Sequence, residues 1–406
     1  MPGMSAVTGG ARRSITTLCE VVEHLETIER APGSPGEAQA AAWLADRLEQ
    51  AGADVVVEPA SYRPGYAPLL ASACAAGAAL GIGALRRRGL RPLAAAGGLA
   101  LAAAIVDDTS NGPRVLRRLV TRPKPTQNVV ATVGPADAPH TLVVLAHHDA
   151  APTGVIFDQR LQYAVADRFP GLIERSDTAP PMWALVIGGP ALVGAGALTG
   201  RRGLTAAGAA LSAAAAAALT DIARGQTVPG ANDNLSACAA LVAIAERLRD
   251  EPVPGLRVVL ASCGAEEVCQ GGIYSFLEDH RDELPRDRTT VLNLDTIGSP
   301  QLVMLEGEGI VVMEDYPDPG LRDRIADAAV RAGVSLRRGA RATSSTDSVV
   351  LARAGYSIAT LASFDHAKAL SNYHQMTDTA ANLDFETVAD AVDVTVTLAG
   401  DLGQPG

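Results

Sequence analysis

Two histidines and five acids, spread along more than two hundred residues, are of the types that build a metal-dependent hydrolytic centre. They are His147 and Asp149 in Leu145-Ala146-His147-His148-Asp149, Asp233 between Asn232 and Asn234, the adjacent pair Glu266 and Glu267, Asp295 after Asn293-Leu294, and His374 after Tyr373. Two imidazoles with three carboxylates, one carboxylate shared, can ligate two zinc ions. A further glutamate is then left to serve as a base.

Singly, each residue has a plainer reading. His147 and Asp149 are two apart on an extended tip, so both can face one side. Asp149 is either a ligand or the hydrogen-bond partner that holds the ring of His147. His148 points the other way and reads as structural or solvent-facing. Asp233 sits where a loop enters a helix and suits an N-cap. Glu266 and Glu267 alone would read as a solvated turn. Asp295 ends an apolar strand, a costly place for a carboxylate without a cation. Asp378 is placed to orient the ring of His374.

The elements that must position these groups alternate between strand and helix. Helices are expected at 14–30, 36–50, 233–249, 321–332, 346–354 and 385–402, and strands at 54–58, 127–133, 141–146, 256–262, 290–294 and 357–361. The strand at 141–146 is an unbroken apolar run, as in a sheet covered on both faces, and 256–262 and 290–294 read as further buried strands. This predicts an α/β fold, a mostly parallel mixed sheet flanked by helices. The carboxyl ends of its strands would form the ligand crevice, and His147, Asp149, Glu267 and Asp295 follow such ends.

Two apolar hairpins interrupt this pattern. Residues 67–85 carry no charge, then Arg86-Arg87-Arg88 and Arg91 precede a second apolar run at 92–106. A matching pair occupies 180–199 and 203–220 around Arg201-Arg202. Three of the runs approach the ~20 residues that a membrane helix needs, and Gly77/Gly81 and Gly196/Gly200 have the spacing that lets helices approach closely in lipid. Alanine-rich buried helices are the alternative, but two hairpins with matching basic turns favour four membrane helices. The expected organisation is one discontinuous catalytic domain over 14–60, 125–155 and 228–402, with inserted hairpins at 66–108 and 179–222.

Composition agrees. The 406 residues are 48% hydrophobic but only 3% aromatic, and the mean hydropathy of +0.15 is high for a purely soluble enzyme. A net charge of −11 excludes a nucleic-acid partner, since no basic stripe meets phosphates. Five unpatterned cysteines give no disulfide framework and no zinc knuckle. Cys263 and Cys269 would bridge only in an oxidising compartment. No cleaved export signal is expected.

The order of the seven residues resembles that of the co-catalytic zinc aminopeptidases of metallopeptidase family 28, over roughly 14–60, 125–155 and 228–400. Ser34-Pro35-Gly36-Glu37 and its helix look like the family's opening. The resemblance implies that His147, Asp233 and Asp295 hold one zinc and that Asp233, Glu267 and His374 hold the other. It makes Glu266 the general base and Asp149 the partner of His147. One departure is the 84 positions between Asp149 and Asp233, which are usually close in that family.

The function so implied is a membrane-anchored di-zinc exopeptidase, most simply an aminopeptidase, with a metal-bridged hydroxide as nucleophile and a peptide or small amide as substrate. A carboxypeptidase or N-acyl amidohydrolase using the same metals, and a non-catalytic membrane receptor or scaffold, are the alternatives. With the basic turns cytoplasmic, the lipid bilayer is a partner and the catalytic domain lies on the extracytoplasmic side. A cytoplasmic peptidase is the opposite arrangement. The sequence leaves the oligomeric state open.

Overall fold

The computed structural model describes residues 7–175, 178 and 183–404. The chain opens with α1 (Val7–Leu25), α2 (Pro35–Gln50) and β1 (Asp54–Tyr62), then α3 (Tyr66–Arg86), α4 (Arg91–Thr109) and α5 (Val115–Val120). Strands β2 (Lys124–Val133) and β3 (His140–His147) precede α6 (Arg160–Arg168), α7 (Pro170–Glu174), α8 (Ala184–Thr199) and α9 (Arg202–Ile222). There follow α10 (Ser236–Asp250), β4 (Leu256–Cys263), α11 (Gly272–His280), β5 (Thr289–Leu294), β6 (Gln301–Glu308) and β7 (Glu314–Asp315). The last elements are α12 (Pro319–Ala332), β8 (Arg337–Ala342), α13 (Ser348–Arg353), β9 (Ser357–Phe364) and α14 (Phe385–Leu402).

The strands form one mixed sheet in the order β1-β2-β4-β3-β5-β9-β6-β7, with β8 beside β6. Parallel pairing is concentrated at the centre, where β4, β3, β5 and β9 run together. The flanks β1-β2, β2-β4, β9-β6 and β6-β7 are antiparallel. Helices α1, α2, α10, α12 and α14 bury one face of the sheet, α11 and α13 the other. The central strands are buried almost throughout, which explains the apolar run Leu142–Ala146 of β3.

Both hairpins enter and leave this core at single points. Tyr62 at the end of β1 pairs with Lys124 at the start of β2, so α3 to α5 form the connection of one β-hairpin. The second insertion is pinned by the Pro152–Thr227 bridge, with Thr153 N donating to Gln226 O and Val228 N to Ala151 O. Asp149 and Asp233 therefore meet although 84 positions separate them. The sheet is undisturbed by either insertion.

Helices α3, α4, α8 and α9 pack together as a bundle. Among the described residues, three helices are long and apolar enough to cross a membrane: 66–86, 88–109 and 202–222. The 16 residues of α8 span about 24 Å at 1.5 Å per residue, short of a ~30 Å hydrocarbon core; the start of that run, 180–182, lies outside the described residues. Small residues bring the helices close: a Cβ on Gly98 of α4 would lie 2.7 Å from Gly194 N and 2.8 Å from Pro190 O of α8. Gly77, Gly81 and Gly196 also sit at helix contacts. Gly200, in contrast, is the left-handed C-cap of α8. The basic turns, Arg86–Arg88 and Arg201-Arg202, are exposed.

Candidate metal centre

His147 is the last residue of β3, Glu266 and Glu267 follow β4, and Asp295 follows β5. Parallel pairing sets these strand ends side by side, as His147 and Cys263 are register partners. Asp233 arrives from the turn 231–235 before α10, and His374 from the loop before α14. All seven residues singled out in the sequence meet here.

The carboxylate of Asp233 faces both histidines. Its Oδ1 is 3.3 Å from His147 Nε2, and its Oδ2 is 3.3 Å from His374 Nε2. His374 Nε2 is also 3.2 Å from Glu267 Oε2. Candidate ligand atoms of His147, Asp233 and Asp295 lie within 4.8 Å of one another, as do those of Asp233, Glu267 and His374. His374 Nε2 and Glu267 Oε1 are buried without a hydrogen-bond partner, a cost that a cation would remove. Imidazole nitrogens with carboxylate oxygens are a zinc donor set, so the residues fit the metal.

Other residues hold these groups in place. Asp149 lies 3.4 Å from His147 Nδ1 and accepts the backbone N–H of Glu266 at 2.9 Å and of Glu267 at 3.0 Å. It is thus a support for three members of the cluster. Glu37 accepts from Gly33 N, Thr126 Oγ1 and Ala265 N, bracing the loop just before Glu266. Asp378 accepts the backbone N–H of Asn232 at 2.7 Å and of Asp233 at 3.1 Å. It therefore holds the Asp233 turn rather than the ring of His374, which stacks on Tyr373 and meets Phe157 edge-on.

The N-cap reading of Asp233 fails because α10 begins at Ser236 and its N-cap position is Leu235. Asp233 is non-helical (φ −112°, ψ 89°), with a cis peptide to Asn234. Asn234 donates to Leu294 O and accepts from Thr296 N, while Asn232 Oδ1 accepts from Gly298 N. The asparagines bind the turn to the end of β5, and α10 starts at Ser236. His148 is buried, its Nδ1 3.0 Å from Ser262 Oγ, which settles the structural alternative.

Sequence reasoning missed Arg117. Its side chain is fully buried and bidentate to Asp108, with Nε–Oδ1 2.8 Å and Nη2–Oδ2 2.7 Å. Its Nη1 donates to Val268 O at 2.6 Å and to Arg63 O at 3.2 Å. One guanidinium joins the end of α4, the entry to α3 and the loop carrying Glu266-Glu267. Asp347 was also missed: both its oxygens are buried without a partner. All five cysteines are free.

The electrostatics are those of a site that holds protons where cations would sit. Burial opposes the imidazolium of His147, but the facing carboxylates of Asp149 and Asp233 outweigh it and raise its pKa well above the ordinary value. Burial likewise opposes His374, and Glu267 and Asp233 raise it to about 10. Burial would raise Asp233, yet both histidines hold it below the ordinary range. Burial pushes Glu267 and Asp295 up to about 6, and raises Glu266 well above its ordinary range.

A cavity of about 470 Å³ opens from His147, Asp233, Glu266, Glu267 and Asp295. Its walls include Phe157, Leu161, Phe364, Leu370 and Tyr373. A smaller pocket beside it is lined by Tyr66 of α3, Thr109 of α4 and Trp183 before α8, together with Glu266 and His374. The centre thus lies at the foot of the bundle.

The sequence model of peptidase family M28 matches residues 207–399, which include Asp233, Glu266, Glu267, Asp295 and His374 but not His147. No curated protein matches the sequence. Among solved structures, an aminopeptidase from Aneurinibacillus sp. strain AM-1 is similar at a TM-score of 0.56 and 14% identity, over 98% of this chain and 96% of that one. The zinc aminopeptidase BSAP from Bacillus subtilis is similar at 0.53 and 13%, over 96% and 94%. A glutaminyl cyclase from Bacteroides thetaiotaomicron, bound to N-acetylhistamine, is similar at 0.55 and 14%, over 95% and 97%. The family match thus spans residues 207–399, and over the whole chain the likeness to these solved structures is one of fold.

Proposed function

We propose that this chain is a membrane-anchored di-zinc exopeptidase, most simply an aminopeptidase. The observation that carries the reading is Asp233: its two oxygens face two separate ligand sets, one completed by His147 and Asp295, the other by His374 and Glu267. These five residues would hold the two ions. When bound, zinc supplies Lewis acidity toward the scissile carbonyl and toward water.

Glu266 is in neither ligand set and lines the cavity. Its Oε1 accepts from Gln270 Nε2 at 2.8 Å, which fixes the carboxylate, and Gln270 is itself anchored on Ser345 O. Burial makes Glu266 a stronger base than a solvated carboxylate. It takes a proton from water and returns it to the departing amine. Asp149 keeps His147 and the Glu266-Glu267 backbone in register throughout.

The bundle supports membrane anchoring: its apolar helices cross the bilayer, and the exposed basic turns stay cytoplasmic. The catalytic domain, one discontinuous unit, is then extracytoplasmic. The decisive experiment is hydrolysis of an aminoacyl-arylamide panel by detergent-purified, zinc-loaded protein, with Glu266→Ala beside it. Activity that disappears in the variant while zinc is retained is the expected result. A zinc-loaded parent inert on the whole panel would exclude the aminopeptidase. A peptide with N-terminal glutamine, included in the panel, tests cyclase activity.

A further inference from the structure

We infer that the inserted helices build the leaving-side subsite of this centre: Tyr66 and Trp183 wall a pocket that takes an apolar side chain on the residue after the scissile bond, the second residue of a peptide. This rests on the aminopeptidase reading above and narrows its substrate class. Two spaces diverge from the metal cluster. Glu266, Glu267, Phe157 and Tyr373 line both the cavity of about 470 Å³ and the smaller pocket of about 70 Å³. Beyond that shared wall the larger space runs along Leu161 and Leu370, the smaller along Tyr66, Trp183 and Ile310.

A substrate bond held at Glu266 therefore has room on both sides. An exopeptidase of this kind encloses the terminal residue whole, backbone and side chain, which suits the larger space. On the other side the peptide continues, and only one side chain has to be lodged, which suits the smaller. Hydrolysis breaks the C–N bond between the two residues. Water gives its hydroxyl to the carbonyl carbon and its hydrogen to the nitrogen of the residue in the smaller pocket.

Neither aromatic wall belongs to the sheet or to the helices that flank it. Tyr66 is the first residue of α3, in the insertion between β1 and β2, and Trp183 stands just before α8, in the insertion after β3. Their rings meet edge-on with centroids 5.8 Å apart. Both pack against the apolar cluster that holds Leu70, Val186 and Leu219 at the foot of the bundle. Two segments far apart in sequence thus present one aromatic wall to the metal ligands. Among the described residues no lysine or arginine lines this pocket, so an acidic side chain would be buried there without a cationic partner, a cost that an apolar one does not meet.

The test uses the full-length zinc-loaded protein in detergent and two sets of dipeptide amides. One set has leucine first and glycine, leucine or glutamate second; the other has alanine or leucine first and glycine second. In the parent, kcat/KM with leucine second should exceed that with glycine second by about tenfold, the low end for burying a leucine side chain. Trp183→Ala should cut that ratio to about threefold or less and leave the leucine-to-alanine ratio in first place as it is. Leu370→Ala, on the larger cavity, should do the reverse. Ile310→Arg, in the loop between β6 and β7 and outside the bundle, should raise the glutamate-to-leucine ratio in second place by about tenfold, as a charge-assisted hydrogen bond allows. Second-place ratios that ignore both Trp183→Ala and Ile310→Arg in active enzyme would overturn the inference and leave the aminopeptidase standing. So would a Trp183→Ala protein in which only the first-place ratio moves. A zinc-loaded parent that cleaves none of the peptides would overturn both.

Discussion

Replacing Arg117 by Met tests whether the inserted helices are part of the catalytic architecture. Arg117 is fully buried, and Asp108 beside it is 2% exposed. Methionine keeps most of the volume but leaves a buried carboxylate without its cation, a loss of about 3–5 kcal/mol. Val268 O and Arg63 O each lose a donor, at roughly 1 kcal/mol apiece where no water replaces it. At roughly 2 °C per kcal/mol for a large domain, the Tm should fall by about 6–14 °C, the upper end applying where no water replaces the lost donors. Because Val268 follows Glu267 directly, zinc affinity and kcat/KM should fall too. Pairing it with Asp108→Leu removes the stranded charge, so the double variant should melt above Arg117→Met alone. Melting curves and chelator-competition titrations of the three proteins read this out. A Tm, zinc affinity and kcat/KM all unchanged in Arg117→Met would refute the reasoning.

Three further outcomes follow from the same geometry. Asp149→Asn places an amide NH₂ against donors now met by oxygen, so zinc affinity measured by chelator competition should drop about 10–100-fold; unchanged affinity would contradict the support role. In metal-free protein, His374, raised to about 10, contributes stability that is full below its ordinary pKa of 6.5 and is lost as pH rises through 10. Asp347 and Glu308, pushed by burial to about 8, hold protons in the folded state that the unfolded chain has released, so they too make stability fall as pH rises toward 8. Chelated protein should therefore melt lower at pH 8.5 than at pH 6.5, and a rising Tm would refute the sign. Gly98→Leu drives a side chain into the backbone of α8 and should destabilise the bundle by about 1–3 kcal/mol, seen as a lower Tm in detergent; an unchanged Tm would show that α4 and α8 are not packed as described.

The catalytic half of the molecule was legible because its chemistry is written in side-chain types. His147, Glu266-Glu267 and Asp295 follow apolar runs that can only be buried strands, and such strand ends converge in an open α/β sheet. The supports are less visible because they act through the backbone. Arg117 lies on the six-residue helix α5 next to Arg118 and reads as surface charge; its role comes from carbonyls brought to it by tertiary packing. Asp378 was placed against His374 by nearness in sequence, yet it meets two amides more than 140 positions away. Strand β8, Arg337–Ala342, has no strand pattern at all and exists by pairing irregularly with β6. Helices α6 and α7, nine and five residues long, are too short for the sequence to mark them out, so their place beside the cavity could not be read.

The central claim is that Asp233 is shared between two zinc ions. Elemental analysis of detergent-purified, zinc-equilibrated parent and Asp233→Ala proteins tests it most directly. The account predicts about two zinc ions per chain in the parent and loss of both in the variant. A parent that holds one ion or none, or a variant that keeps its full complement, would contradict it.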